Sequence, residues 1–276
     1  MTAFGARLTA AFEAHGPLCV GIDPHESLLA DWGLEISAAG AREFGLRVVE
    51  AAAGRVGIVK PQVSFFERHG SAGFAGLEEV IAAARAAGLL VIADAKRGDI
   101  GSTMDAYARA WLSPGSPLES DALTVSPYLG VGALAGSFDL ASAHGKGLFV
   151  LAATSNPEGA ALQAATTGER TVAAEIAAEV GARNGDSALG SFGLVVGATL
   201  DRTAFGLTDD VLSRMPVLAP GFGFQGARAE DLASLFGPVA GSVVASESRS
   251  ILSAGPEGIA ARIAERAALY AGRSHA

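Results

Sequence analysis

Eight short apolar runs punctuate this chain, at 18–22, 56–59, 89–93, 122–125, 147–152, 192–197, 216–219 and 242–245. Most of them lack the polar/apolar alternation of a half-exposed strand. Strands read this way when helices cover both faces of a parallel sheet. Between the runs lie alanine-rich stretches with helical period, at 37–53, 71–87, 102–112, 168–184, 226–236 and 256–271. Eight strands alternating with helices predict an α/β chain folded as a single-domain (β/α)8 TIM barrel rather than an open doubly wound sheet. The length of 276 residues fits, since such a barrel needs about 250. No linker-like shift in composition divides the chain, so 1–276 reads as one domain. A first helix at about 3–14 is placed to cap the barrel bottom, and the tail 273–276 is expected to fray. The Gly/Pro-rich pieces 113–117 and 219–226 read as loops. The stretch 154–168 is long for one connection and calls for a short helix or a mobile loop.

A net charge of −9 argues against nucleic-acid or membrane-surface partners, which want a basic face. No run of about 18 apolar residues exists to span a bilayer, and Glu13 and His15 interrupt any signal-like segment. A cytoplasmic protein is expected. The lone Cys19 forbids an intrachain disulfide and a multi-cysteine metal site, and its apolar run marks it as a packing residue.

Lysine usage narrows the search for chemistry. The chain has three lysines, Lys60, Lys96 and Lys146, against seventeen arginines. Arginine does not give up a proton in proteins, whereas the lysine ammonium can. Lys60 and Lys96 both stand at probable strand ends, where barrels of this class carry their active sites. Asp23, Asp94, Ser126, Thr154, Ser155, Gln225 and Arg249 fall at such ends too. Asp94 and Lys96 are two residues apart, so on an extended chain both point the same way, toward the barrel mouth. Flanking carboxylates favour the charged form of a lysine, which suits a proton donor better than a Schiff-base nucleophile. Two other readings use the same residues: a structural ion-pair array, and a Mg²⁺ site built on Asp94 and Asp99. His25, in the first loop, is read as lying outside the chemistry.

After the seventh run comes Ala219-Pro220-Gly221-Phe222-Gly223-Phe224-Gln225-Gly226, and after the eighth Ser246-Glu247-Ser248-Arg249-Ser250. Glycines let backbone N–H groups approach an anion. Loops after strands seven and eight form the usual phosphate site of this barrel class.

The run Asp94-Ala95-Lys96-Arg97-Gly98-Asp99-Ile100-Gly101-Ser102-Thr103 resembles the D-x-K-x-x-D-I-x-x-T signature of the orotidine 5′-phosphate decarboxylase family. The resemblance extends through Gly21-Ile22-Asp23, Val59-Lys60, Thr154-Ser155-Asn156-Pro157, Val196-Gly197-Ala198-Thr199 and Pro220 to Gly226, and the length is similar to the longer bacterial branch. It implies a homodimer that converts orotidine 5′-phosphate to UMP, in pyrimidine synthesis, without a cofactor. Lys60, Asp94 and Lys96 would form a charged array with Asp99 of the partner subunit, and Lys96 would donate the proton. Asp23 and Lys60 would hold ribose hydroxyls, joined by Thr103 from the partner. Ser155 would bind the pyrimidine, Pro220 would lie in the substrate loop, and Gln225 and Arg249 would hold the phosphate. Many relatives carry Gly-Arg-Ser where this chain has Ser248-Arg249-Ser250.

The chemistry agrees with that resemblance. Loss of CO₂ from C6 of a pyrimidine leaves a poorly delocalised carbanion, and no thiamine, pyridoxal or metal motif supplies an electron sink. The protein must instead stabilise the charge with preorganised groups, and an ammonium at C6 does this before donating its proton. The alternatives are a Mg²⁺-dependent sugar-phosphate lyase or decarboxylase of the same barrel superfamily, a Schiff-base aldolase, and a phosphate-ligand binder without turnover.

Overall fold

In the computed structural model, which describes residues 1–271, each apolar run becomes a strand of one closed parallel barrel. The strands are β1 (Leu18–Ile22), β2 (Ile58–Pro61), β3 (Leu90–Arg97), β4 (Ala122–Val125), β5 (Gly147–Ala153), β6 (Phe192–Val196), β7 (Val217–Pro220) and β8 (Val243–Glu247). They follow one another around the barrel in chain order, and β8 pairs with β1 to close it. The tail at 273–276 lies outside the described residues.

Two strands run past their apolar segments. β3 continues through Asp94 to Arg97, which pairs with Val125 after a register shift, and β8 continues through Ser246 and Glu247. Hydrophobicity stops where a strand enters the barrel mouth, whereas ladder hydrogen bonding does not.

One residue from each strand fills the lower lumen: Cys19, Ile58, Ile92, Ala122, Phe149, Val195, Leu218 and Val244. The N-terminal helix Phe4–His15 closes this end by adding Phe4, Leu8 and Phe12 to the same cluster. Phe4 meets Phe149 edge-on, with ring centroids 6.0 Å apart. Gly147 makes room for it, because a Cβ there would lie 2.4 Å from the Phe4 ring. A second, larger cluster joins the outer faces of the strands to the surrounding helices.

Lys146 belongs to this bottom end. Its ammonium is buried 2.8 Å from Glu119 and 4.0 Å from Asp121, and Asp121 also pairs with Arg7 of the N-terminal helix. This lysine fastens the floor and stands apart from the mouth.

The stretch 154–168 holds a short helix, Pro157–Gln163, followed by a small antiparallel ladder, Thr166–Thr167 against Arg170–Thr171. The next helix therefore starts at Val172 rather than 168, where the Thr171 hydroxyl accepts from the Ala174 N–H. The expected helix at 226–236 is a 3₁₀ turn, Ala229–Asp231, leading into Leu232–Phe236.

Candidate active site

Side chains alternate along a strand, so the residue two beyond each floor position also faces the lumen. On β2, β3, β4 and β8 these residues are Lys60, Asp94, Thr124 and Ser246, all buried. A polar layer thus sits directly on an apolar floor.

Asp94 is the hub of that layer. Its Oδ2 accepts from Lys60 Nζ at 2.9 Å, and its Oδ1 accepts from Lys96 Nζ at 2.6 Å and from Thr124 Oγ1 at 2.9 Å. The Lys96 backbone N–H donates to Thr124 Oγ1 at 3.0 Å, which fixes the hydroxyl. Burial alone would raise the Asp94 pKa, but the two ammoniums outweigh it and hold the carboxyl well below the usual range. Burial works against the charge on Lys60 as well. There Asp94 and Asp23 prevail and lift the ammonium above its ordinary value.

The two lysines differ in access. The Lys60 side chain is 6% exposed and that of Lys96 is 45% exposed, so Lys96 presents its charge to the cleft. It does so from a left-handed backbone with φ of 49°, a conformation that costs a non-glycine residue roughly 1–2 kcal/mol. Strain of this kind gathers at functional sites.

Above the array opens a cleft of about 450 Å³, also lined by Asp23, Ser155, Pro220, Gln225 and Arg249. Asp23 Oδ1 is buried with no hydrogen-bond partner among the described residues. An acceptor so placed suits a donor on a ligand, such as a hydroxyl. Arg249 stacks its guanidinium over the Phe224 ring at 4.3 Å. The backbone next to Ser155 is fixed by its neighbours. Gln163 Oε1 accepts from the Thr154 N–H at 2.9 Å, and Gln163 Nε2 donates to Thr154 Oγ1 at 2.8 Å. A Cβ on Gly197 would lie 3.2 Å from the Ser155 nitrogen.

Eight of the ten expected site residues therefore meet in one cleft. Asp99 and Thr103 do not line it. Asp99 Oδ1 accepts from the next N–H, that of Ile100, at 2.8 Å, and Thr103 is exposed on the helix Gly101–Leu112. Ser126 stays outside as well, giving its N–H to the Arg97 carbonyl. His25, read as lying outside the chemistry, lines the cleft and packs on Phe65 with centroids 4.1 Å apart. Burial lowers its pKa, helped by Arg249 and Arg68 against Asp23.

Sequence reasoning missed Gln62 and Thr124, and it named Ser246 and Ser248 only as members of the segment around Arg249. Thr124 had a signal, being the lone polar residue in a buried strand. The departure at Ser248 is accommodated by Gly21, where a Cβ would come within 1.8 Å of Ser248 Oγ. Among the described residues no three His, Cys, Asp or Glu side chains gather to hold a metal ion. Both Asp94 oxygens are already committed to ammonium donors.

A family model described as orotidine 5′-phosphate decarboxylase/HUMPS family matches residues 16–263. The chain is 56% identical to the orotidine 5′-phosphate decarboxylase of Salinispora arenicola over 266 residues, covering 96% of this chain and 95% of the relative. It is 55% identical to that of Streptomyces coelicolor over 267 residues, with 96% and 95% covered. A solved structure from Streptomyces avermitilis, provisionally named orotidine 5′-phosphate decarboxylase, superposes with a TM-score of 0.94 at 52% identity. It covers 100% of this chain and 97% of its own. The Leishmania donovani OMP decarboxylase gives a TM-score of 0.78 at 31% identity, with 96% and 95% covered.

Proposed function

The chain belongs to the orotidine 5′-phosphate decarboxylase/HUMPS family, and on that premise we propose that Lys96 is the acid of its reaction. The enzyme decarboxylates orotidine 5′-phosphate to UMP. The bond from C6 to the carboxylate breaks, CO₂ leaves, and its electron pair stays on C6. The Lys96 ammonium, waiting in the cleft, stabilises that charge and then gives its proton to C6. The observation that carries this reading is the Lys60–Asp94–Lys96 array, in which all three residues line the cleft and Lys96 is the most exposed. Asp94 keeps the array ionised and sets the direction of the Lys96 amine.

The remaining roles follow from position in the cleft. Asp23, with its unmatched Oδ1, and Lys60 take ribose hydroxyls, and Ser155 takes the pyrimidine. Pro220 shapes the loop that brings Gln225 to the phosphate, and Arg249 joins it from the same cleft. Binding energy at the phosphate, remote from C6, then serves the chemical step.

The reading includes a homodimer in which Asp99 and Thr103 act in the partner's cleft. Both lie outside their own cleft. They share the elements after β3 and β4 with Ile100, Tyr107, Tyr128 and Leu129, all large apolar side chains left exposed. Exposed apolar surface of this kind marks protein contacts. A cytoplasmic location is supported by the single cysteine, which is a buried thiol, as in proteins of a reducing compartment.

The test is the ultraviolet absorbance change when orotidine 5′-phosphate is added to the purified protein, with and without EDTA. Turnover indifferent to EDTA is expected. Folded protein without turnover would move the assignment to a sugar-phosphate enzyme or a silent binder, and turnover abolished by EDTA would indicate a metal-dependent reaction.

A further inference from the structure

Glu247, the last residue of β8, is 1% exposed and carries a carboxylate that touches nothing in the charged array. Its Oε1 accepts from Arg266 Nη2 and from the Tyr270 hydroxyl, each at 2.6 Å, and its Oε2 accepts from Ser250 Oγ at 2.7 Å. Arg266 and Tyr270 belong to the C-terminal helix Gly255–Tyr270, whose Arg262 also donates to the Ser250 carbonyl at 3.0 Å. The chain is therefore gripped at Glu247 and again at Ser250, and Arg249 lies between the two points. Burial, then the Glu247 charge, push the Tyr270 phenol far above its ordinary value, which keeps it a donor.

The loop after β7 rests on the same group. Phe222 meets Tyr270 edge-on, with centroids 5.9 Å apart. Gly223 comes so close that a Cβ would lie 2.4 Å from Ser250 Oγ and 2.9 Å from Glu247 Oε2, and its φ of 76° suits glycine. The next residue, Phe224, is the one that stacks under Arg249. Stability alone is a weak reason for the arrangement, because a buried ion pair is often no better than well-packed apolar residues. What the network does accomplish is to fix two loops against each other.

We propose that Glu247, clamped by Arg266, Tyr270 and Ser250, is a positioning residue for the phosphate grip. It sets Arg249 and the loop 222–225 at the separation a phosphate dianion requires. This rests on the reading of Arg249 and Gln225 as the phosphate arms.

The test compares kcat/KM for orotidine 5′-phosphate with kcat/KM for orotidine, the nucleoside that lacks the phosphate. Tyr270→Phe keeps the ring against Phe222 and removes one hydrogen bond, and Ser250→Ala removes another. Each should lower kcat/KM for the phosphorylated substrate about three- to tenfold, the usual worth of one hydrogen bond, and leave the value for orotidine unchanged. In an Arg249→Ala background the Tyr270→Phe effect should shrink to the part carried by the loop 222–225. Equal losses on both substrates, no loss on either, or additivity with Arg249→Ala would each overturn the proposal. Arg249→Ala alone separates the two levels. If it fails to narrow the preference for the phosphorylated substrate, the phosphate reading falls and the positioning role falls with it. If it narrows the preference while Tyr270→Phe and Ser250→Ala do not, only the positioning role falls.

Discussion

Lys96 Nζ lies 2.6 Å from Asp94 Oδ1, and Lys96 makes this contact from a left-handed backbone inside β3. A regular strand would aim both side chains the same way. Here the ladder shifts register between Ala93 and Arg97, and the ammonium and the carboxylate meet within that irregular segment. An amine held at that strain is preorganised, so its removal should be felt in the chemical step. Lys96→Ala is expected to lower kcat by at least about 10²–10⁴-fold, the range of a general acid, with the fold intact by circular dichroism. Turnover within tenfold of the wild type would remove Lys96 from the proton-donor role.

Asp94→Asn should act on stability as well as rate. Lys60 would be left as a buried cation without its carboxylate, and breaking a buried pair in this way costs roughly 3–5 kcal/mol. The pH dependence follows from the two shifts. Asp94 is depressed in the folded state, so its contribution is complete above the ordinary carboxylate value of 3.8 and is lost as the pH falls toward the depressed one. Lys60 is raised, so its contribution is complete below 10.5 and is lost as the pH rises through its folded value. Urea unfolding of the wild type should therefore show a pH-independent contribution from the array between these limits. The variant should lose that plateau and a part of the acid-dependent limb. Superimposable stability curves for the two proteins would count against a coupled array.

Cys19 should be inert in the native protein. It is fully buried in the lumen floor, and burial pushes its thiol up to about 12, against the opposing influence of Lys60. The thiolate is the reactive form, so iodoacetamide at neutral pH should leave both the thiol count and the activity unchanged. Full alkylation is expected only in denaturant. Rapid labelling of the folded enzyme would mean that the floor under the N-terminal helix opens readily.

The barrel was legible because its strands are buried on both faces, so hydrophobicity alone outlines them. Lys60 and Lys96 were legible because a chain that uses arginine elsewhere places two lysines at strand ends. The limits of that reading are also physical. The apolar runs end before the ladders do, so β3 looked five residues long while its last members carry the charged array. Thr124 and Ser246 enter the site through two-residue periodicity counted from floor residues, which only the closed barrel identifies. Glu247 looked like loop composition, because nothing local reveals that Arg266 and Tyr270 arrive from a helix about 20 residues later.

Asp99 and Thr103 supply the last test, since neither lines the cleft of its own chain. A two-fold dimer makes a contact reciprocal, so each cleft would receive Asp99 from the other subunit. Lys96→Ala and Asp99→Ala homodimers should then both be inactive, each for lack of a different half of the site. In a mixed dimer one cleft keeps Lys96 from one chain and Asp99 from the other, while its twin loses both. Random exchange of equal amounts makes half the dimers mixed, with one working cleft in two, so activity should recover to about a quarter of the wild type. Exchange is verified by native mass spectrometry before the absorbance assay. Mixed dimers without activity would confine Asp99 to its own subunit or leave it outside the reaction.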